Sequence, residues 1–187
     1  MRLFVGIPLA AAVVDELSAI SRRLQPAAHG LRWTAPETWH VTLQFLGNTG
    51  AEQFSCLVAG LHELRSPAVP VEIERLGSFN HSGVFIATVR LTSQLLQLQE
   101  RVVAATARCG FIPETRPYQP HITLARSKGR DTRQELSKLQ AKTQTAPTFT
   151  RFAAHEFLLY ESFLGPDGSH YKIHERFPLD AHQEHSA

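Results

Sequence analysis

Apolar positions change period several times along this chain, and each change predicts an element. Residues 2–7, Arg2-Leu3-Phe4-Val5-Gly6-Ile7, read as a strand ending at Pro8. Val13, Val14, Leu17, Ile20 and Leu24 then hold the three-to-four spacing of an amphipathic helix over about 10–24. Residues 31–35 are irregular, and 40–46 form a second strand. Gly47-Asn48-Thr49-Gly50 marks a turn before the helical stripe Phe54, Leu57, Val58 and Leu61. Val71 to Leu76 is strand-like, as is 84–90. Thr92 or Ser93 caps a helix of about 93–109, which Gly110 terminates. Arg116-Pro117-Tyr118-Gln119-Pro120 delivers the chain to a strand at 121–126, and Thr132 to Leu139 is a short polar helix. Residues 154–162 and 170–177 alternate around Gly165-Pro166-Asp167-Gly168-Ser169, a hairpin signal. The tail from Asp180 is polar and expected to fray. The order is β-α-β-α-β twice, then a hairpin. No low-complexity linker intervenes, so residues 1–187 are expected to form one bilobed α+β domain.

Two of these strands begin with the same pattern, His40-Val41-Thr42-Leu43 and His121-Ile122-Thr123-Leu124, offset by 121 − 40 = 81 residues. Side chains alternate along a strand, so His and Thr share one face while Val or Ile and Leu point into a core. Shifting the chain by 81 also lays Leu3-Phe4-Val5 on Val84-Phe85-Ile86, Val14 on Leu95, Leu17 on Leu98 and Pro36 on Pro117. A fixed-period self-match is the mark of a duplicated supersecondary unit. The pseudo-repeats run over about 1–80 and 82–162. Chance recurrence is the alternative, and the shared register of flanking apolar positions weighs against it. Two such strands facing one cleft would offer two imidazoles and two hydroxyls, an inventory suited to acid–base chemistry on a phosphate ester.

Composition narrows the field moderately. An apolar share of 43% and a charged share of 19% belong to an ordinary globular protein. A net charge of +2 and a pI near 8.7 permit a phosphate-bearing ligand but lack the dense basic runs of a duplex-coating protein. Cys56 and Cys109 lack CxxC spacing and read as buried thiols in a reducing compartment. With no span of ~20 apolar residues and no secretory h-region, the expectation is a cytoplasmic protein with no membrane association.

The paired motifs, about 80 residues apart in a chain of this size, resemble those of the 2H phosphoesterase superfamily. The resemblance is nearest to its RNA 2′,3′-cyclic phosphodiesterase branch, the 2′-5′ RNA ligase-like proteins. The matching segments are Arg2 to Ile7, Trp33 to Gly47, Arg116 to Arg126 and Leu158-Leu159-Tyr160-Glu161-Ser162. The resemblance implies a bilobed, pseudo-symmetric fold of antiparallel-rich sheets flanked by helices, with the motif strands lining a cleft between lobes. It also implies that the chain crosses between lobes.

Opening a cyclic phosphodiester requires a base for water and an acid for the leaving ribose oxygen. Histidine serves either role near neutral pH, and two on opposite sides serve both. Thr42 and Thr123 can donate to the non-bridging oxygens. By resemblance, one motif histidine protonates the departing 3′ oxygen and leaves a 2′-phosphate. The expectation is His40 as acid and His121 as base, although pseudo-symmetry leaves the roles interchangeable. No metal or other cofactor is called for. Arg126 and Phe45 occupy equivalent positions, 45 + 81 = 126, after the two motifs. Strict alternation puts both on the apolar face, away from the histidines. If the strands twist there, Arg126 can neutralise phosphate or cover a base and Phe45 can stack on one, although alternation with Val41 and Leu43 favours core packing for Phe45. The resemblance supports Arg126 as a substrate contact. Tyr160 and Tyr171 either enter the cleft or pack within the hairpin.

His170 and His174, on one strand, would lie ~13 Å apart, too far for one metal, and read with His182 and His185 as solvated surface. Arg22-Arg23 and Lys128-Gly129-Arg130 read as solvated, the latter near enough to the second motif to brush RNA. The leading function is therefore metal-independent hydrolysis of RNA 2′,3′-cyclic phosphate ends to 2′-phosphates, with reverse 2′-5′ ligation accessible to the same machinery. The expected partner is single-stranded or tRNA-like RNA with such an end, and the expected state is a monomer with no obligate protein partner. The alternatives are a phosphodiesterase acting on another 2′-linked or cyclic nucleotide, and a non-catalytic RNA-end binding module.

Overall fold

A computed structural model describes residues 1–79, 82–129, 133–143, 148–165 and 168–180. In chain order the elements are β1 (Arg2–Pro8), α1 (Ala11–Leu24), β2 (Leu31–Trp33), β3 (His40–Asn48), α2 (Ala51–His62), β4 (Val69–Val71), β5 (Ile73–Phe79) and β6 (Val84–Val89). There follow α3 (Ser93–Ala107), β7 (His121–Ser127), α4 (Arg133–Lys142), β8 (Phe152–Ala154), β9 (Glu156–Gly165) and β10 (Gly168–Pro178). The helical stripes are buried as their spacing requires: Val13, Leu17, Ile20 and Leu24 on α1, and Leu95, Leu98 and Val102 on α3. Thr92 caps α3 by accepting the Leu95 N–H at 3.1 Å, and Gly110 leaves it at φ +84°. Thr132, Pro166 and Asp167, within the expected polar helix and hairpin turn, lie outside the described residues, as do Arg130 and the tail from 181 with His182 and His185.

Two four-stranded antiparallel sheets carry the architecture, ordered β10-β9-β1-β3 and β2-β7-β6-β5. Each has a core face. Leu3, Val5 and Ile7 of β1 and Phe85, Ala87 and Val89 of β6 join one buried cluster with Val41, Leu43, Ile122 and Leu124. The lobes are not the sequence halves, because β2 crosses to the second sheet and β9 and β10 return to the first. Residues 31–33, expected to be irregular, thus gain a ladder against β7. The expected strand over 71–76 is instead split at Glu72 into β4 and β5. The former pairs with β8 and the latter with β6.

The repeat offset also needs correction in the first strand of each unit. Gly6, Ile7 and Pro8 oppose Thr42, Val41 and His40, whereas Ile86, Ala87 and Thr88 oppose Thr123, Ile122 and His121. Equivalent positions in β1 and β6 are therefore 80 apart, not 81, and Val5 corresponds to Phe85. A slip of one residue exchanges strand faces, and the burial of Val5 and Phe85 in the same core confirms the register.

The two cysteines are not thiols. Cys56 on α2 and Cys109, just beyond α3, form a disulfide with Cα atoms 5.8 Å apart. Sequence spacing could not show this, since the pairing follows from the helices packing side by side. Closing a loop between residues 53 apart in sequence should stabilise the fold by about 4 kcal/mol in the chain-entropy account. A reductant should accordingly lower the melting temperature of the wild type but leave Cys56→Ser unaffected. Equal melting with and without reductant, together with alkylation of both cysteines in the unreduced native protein, would refute the bond.

Candidate active site

His40 and His121 each open a strand, and each ring nitrogen Nδ1 lies 2.8 Å from the carbonyl oxygen two residues earlier, Thr38 and Gln119 respectively. A carbonyl only accepts, so Nδ1 carries the proton in both rings and Nε2 is the nitrogen left for chemistry. Thr42 and Thr123 follow on the same face, opposite Gly6 and Ile86. The structure thus brings both His-Thr pairs together between β3 and β7. The two strands are tied by Tyr118, whose hydroxyl donates to the Thr42 carbonyl at 2.9 Å.

A β-bulge in each strand decides where the next residues point. Leu43 has no ladder partner between the Gly6–Thr42 and Val5–Gln44 pairs, nor has Leu124 between Ile86–Thr123 and Phe85–Ala125. One extra residue reverses the alternation. Gln44 and Ala125 therefore turn into the core, while Phe45 and Arg126 rejoin the face of the histidines. This corrects the expectation from strict alternation. Phe45 is 70% exposed and its ring centroid lies 6.0 Å from that of Phe4, which excludes the core-packing reading. Arg126 is exposed and close enough for its charge to act on both histidines.

The two imidazoles have unlike surroundings. His40 is walled by aromatic rings, with centroids of Phe4 at 4.6 Å, Tyr171 at 5.3 Å and Tyr160 at 5.6 Å. Phe4 in turn stacks on Tyr160 at 4.8 Å. Gly6 makes room for this packing, since a Cβ there would lie 3.1 Å from the Val41 carbonyl and 3.2 Å from His40 Cδ2. Burial pushes His40 down to about 4 against the raising effect of the Thr38 carbonyl, with the charges of His121 and Arg126 lowering it further. His121 is also lowered, mainly by burial and in part by Arg126. Its ring meets Phe79 edge-on at 4.9 Å, and it borders an open cavity of about 890 Å³ floored by β5 and β6.

Phe4, Gly6, Phe79 and Tyr118 went unassigned in the sequence. Only Phe4 and Gly6 carried a signal, sharing a strand face two residues apart. Tyr160 and Tyr171 are cleft residues, not merely hairpin packing. His174 departs from the solvated-surface reading: its Nε2 lies 2.7 Å from the Glu161 carboxylate, and both side chains are largely buried. His170 is exposed.

A family model described as the 2'-5' RNA ligase superfamily matches residues 8–162. The chain is 26% identical over 175 residues to the RNA 2',3'-cyclic phosphodiesterase of Archaeoglobus fulgidus, covering 92% of this chain and 97% of that protein. It is 29% identical over 180 residues to the protein of that name from Escherichia coli, covering 95% and 96%. Among solved structures, E. coli LigT complexed with 3'-AMP superposes with a TM-score of 0.77 at 26% identity, over 95% of this chain and 97% of that one. TT0787 of Thermus thermophilus gives a TM-score of 0.79 at 26% identity, over 97% and 99%.

The His40 environment predicts an NMR titration midpoint near 4 in the free protein, with inorganic phosphate raising the midpoints of both histidines. Because the folded-state value lies below the unfolded one, His40 contributes stability that is present above pH ~6.5 and lost as pH falls towards 4. A His40 midpoint at or above 6.5 that phosphate does not move would contradict this electrostatic account.

Proposed function

The chain belongs to the 2'-5' RNA ligase superfamily, and on that footing we propose that it hydrolyses RNA 2′,3′-cyclic phosphate termini to 2′-phosphates. The observation that carries the reading is the doubled His-Thr set, with each imidazole held by a backbone carbonyl at Nδ1 and leaving Nε2 for the ester. In this reading His121 takes a proton from water, and the resulting hydroxide attacks phosphorus. The bond from phosphorus to the 3′ oxygen breaks, and His40 protonates that oxygen as it leaves. Thr42 and Thr123 donate to the non-bridging oxygens, where charge develops. Each histidine would contribute ~10²–10⁴-fold. A 5′-hydroxyl in place of water gives a 2′-5′ linkage by the same proton transfers.

The unlike surroundings bear on this division of roles. Water reaches His121 through the open cavity, whereas His40 sits among aromatic rings. Burial holds His40 down to about 4 and therefore neutral at pH 7 in the free protein, so in this reading it serves as acid only once the bound phosphate anion has raised it and loaded its proton. Arg126 would neutralise phosphate and Phe45 would stack on a base. All six of these side chains come from one chain, so the proposed site is complete within a protomer. RNA ends as substrate suit a cytoplasmic site of action, whereas the Cys56–Cys109 disulfide is of a kind rare in reducing compartments.

RNA ending in 2′,3′-cyclic phosphate, incubated with the protein in excess EDTA and followed by phosphorus NMR, should yield 2′-phosphate. His40→Ala and His121→Ala should each lose ~10²–10⁴-fold in kcat/KM. Turnover that survives both substitutions would end the two-histidine reading. Replacing the 3′ oxygen by sulfur separates the roles, because a thiolate leaves without a proton. Activity on that substrate should return in His40→Ala and stay absent in His121→Ala, and the opposite pattern would exchange acid and base.

A further inference from the structure

Arg32 lies directly opposite Arg126 in the ladder between β2 and β7. Its neighbours Leu31 and Trp33 turn to the core, so Arg32 and Arg126 emerge on the same face, that of the catalytic cleft. Like charges directly across a ladder destabilise a sheet unless something neutralises them. Both arginines are exposed, and neither joins an ion pair among the described residues.

The direction of Arg32 is also informative. A Cβ built on Gly168, at the start of β10 in the other sheet, would lie 4.0 Å from Arg32 Nε. The guanidinium therefore spans the end of the cleft towards the β9–β10 hairpin. Beyond it, Arg32 lines a hollow of about 320 Å³ together with His29 and Lys128, and among the described residues no carboxylate lines that hollow. Lys128 Nζ is held there by the His29 carbonyl at 3.1 Å. Glu135, behind this segment, is engaged by the Gly30 N–H at 3.0 Å. Positive charge thus continues from Arg126 past Arg32 and out of the cleft.

We propose that Arg32 binds the phosphodiester on the 5′ side of the terminal nucleotide, so that the site prefers an RNA strand to a cyclic mononucleotide. The inference rests on the hydrolytic reading above. Across the bulge Thr123 and Arg126 oppose Ile86 and Val84, two ladder steps apart, so Arg126 lies about 7 Å along the strand and hence on the scale of one nucleotide from the cyclic phosphate. Arg32 across the ladder from it meets the next phosphate, with a planar fork suited to two phosphate oxygens.

Three substrates test this: a nucleoside 2′,3′-cyclic phosphate with a free 5′-hydroxyl, the same nucleotide bearing a 5′-phosphate, and an oligonucleotide ending in the cyclic phosphate. The wild type should prefer the last two. In Arg32→Gln that preference, measured as a ratio of kcat/KM values, should shrink by roughly 10–100-fold through KM, the effect of losing a charge-assisted hydrogen bond. Arg32→Lys should restore part of it. Equal loss on all three substrates, or no change in the ratio, would overturn the assignment while leaving the hydrolytic reading intact. A wild type that turns over none of the three would remove that reading and the inference together.

Discussion

The cleft depends on two β-bulges and on the hydrogen bonds by which the segment leading into each motif strand holds the other strand. A bulge leaves carbonyls off the ladder, and these groups need donors. The segment leading into β3 serves β7: the Thr34 hydroxyl donates to the carbonyls of Thr123 and Leu124 at 2.8 and 2.9 Å, and Trp39 Nε1 donates to Thr34 at 2.8 Å. The segment leading into β7 serves β3, through Tyr118 and the Thr42 carbonyl. Gln44, turned inward by the first bulge, accepts a buried bond from Thr106 of α3 at 2.7 Å. This reciprocal bracing links the phase of each motif strand to the position of the other. Two half-sites from different sheets are thereby held as one.

Within that frame the histidines are matched in tautomer and unmatched in environment. The same backbone contact at Nδ1 orients both rings, so neither needs a carboxylate partner to present Nε2. Around His40, aromatic packing and burial disfavour the cation; His121, also half-buried, borders an open cavity. The two motifs thus sit in unlike surroundings, a difference that their near-identical sequences cannot express.

Duplication is broken in a second way, by strand crossing. β3 is an edge strand, whereas β7 is flanked on its outer side by β2. The repeat has no counterpart of that extra strand beside β3. Arg32 consequently stands next to Arg126 but has no equivalent beside Phe45, and one rim of the cleft is cationic where the other is aromatic. The hairpin of β9 and β10 supplies Tyr160 and Tyr171 to the first lobe only, which completes the aromatic wall around His40.

Much of this was legible in the linear chain, for reasons that are local. Helices α1 and α3 follow from apolar spacing, and the faces of His40, Thr42, His121 and Thr123 follow from alternation over three residues. The duplication was visible because the same apolar register recurs around both motifs. Its offset slipped by one in β1 because Val, Phe and Ile are interchangeable in a buried strand and only ladder partners distinguish 80 from 81. Phe45 and Arg126 were recognisable as equivalent, but their direction was not, since a bulge is a property of paired strands and leaves no mark on either alone. The same holds for the Cys56–Cys109 bond, for Arg32 beside Arg126 and for the rings around His40. Sequence by itself determined which groups could do the chemistry, because periodicity is a short-range property of one strand or helix. Tertiary structure alone decided which way they point, how each is solvated and what stands next to them, because those depend on contacts between residues far apart in sequence, as Phe4 and Tyr160 are.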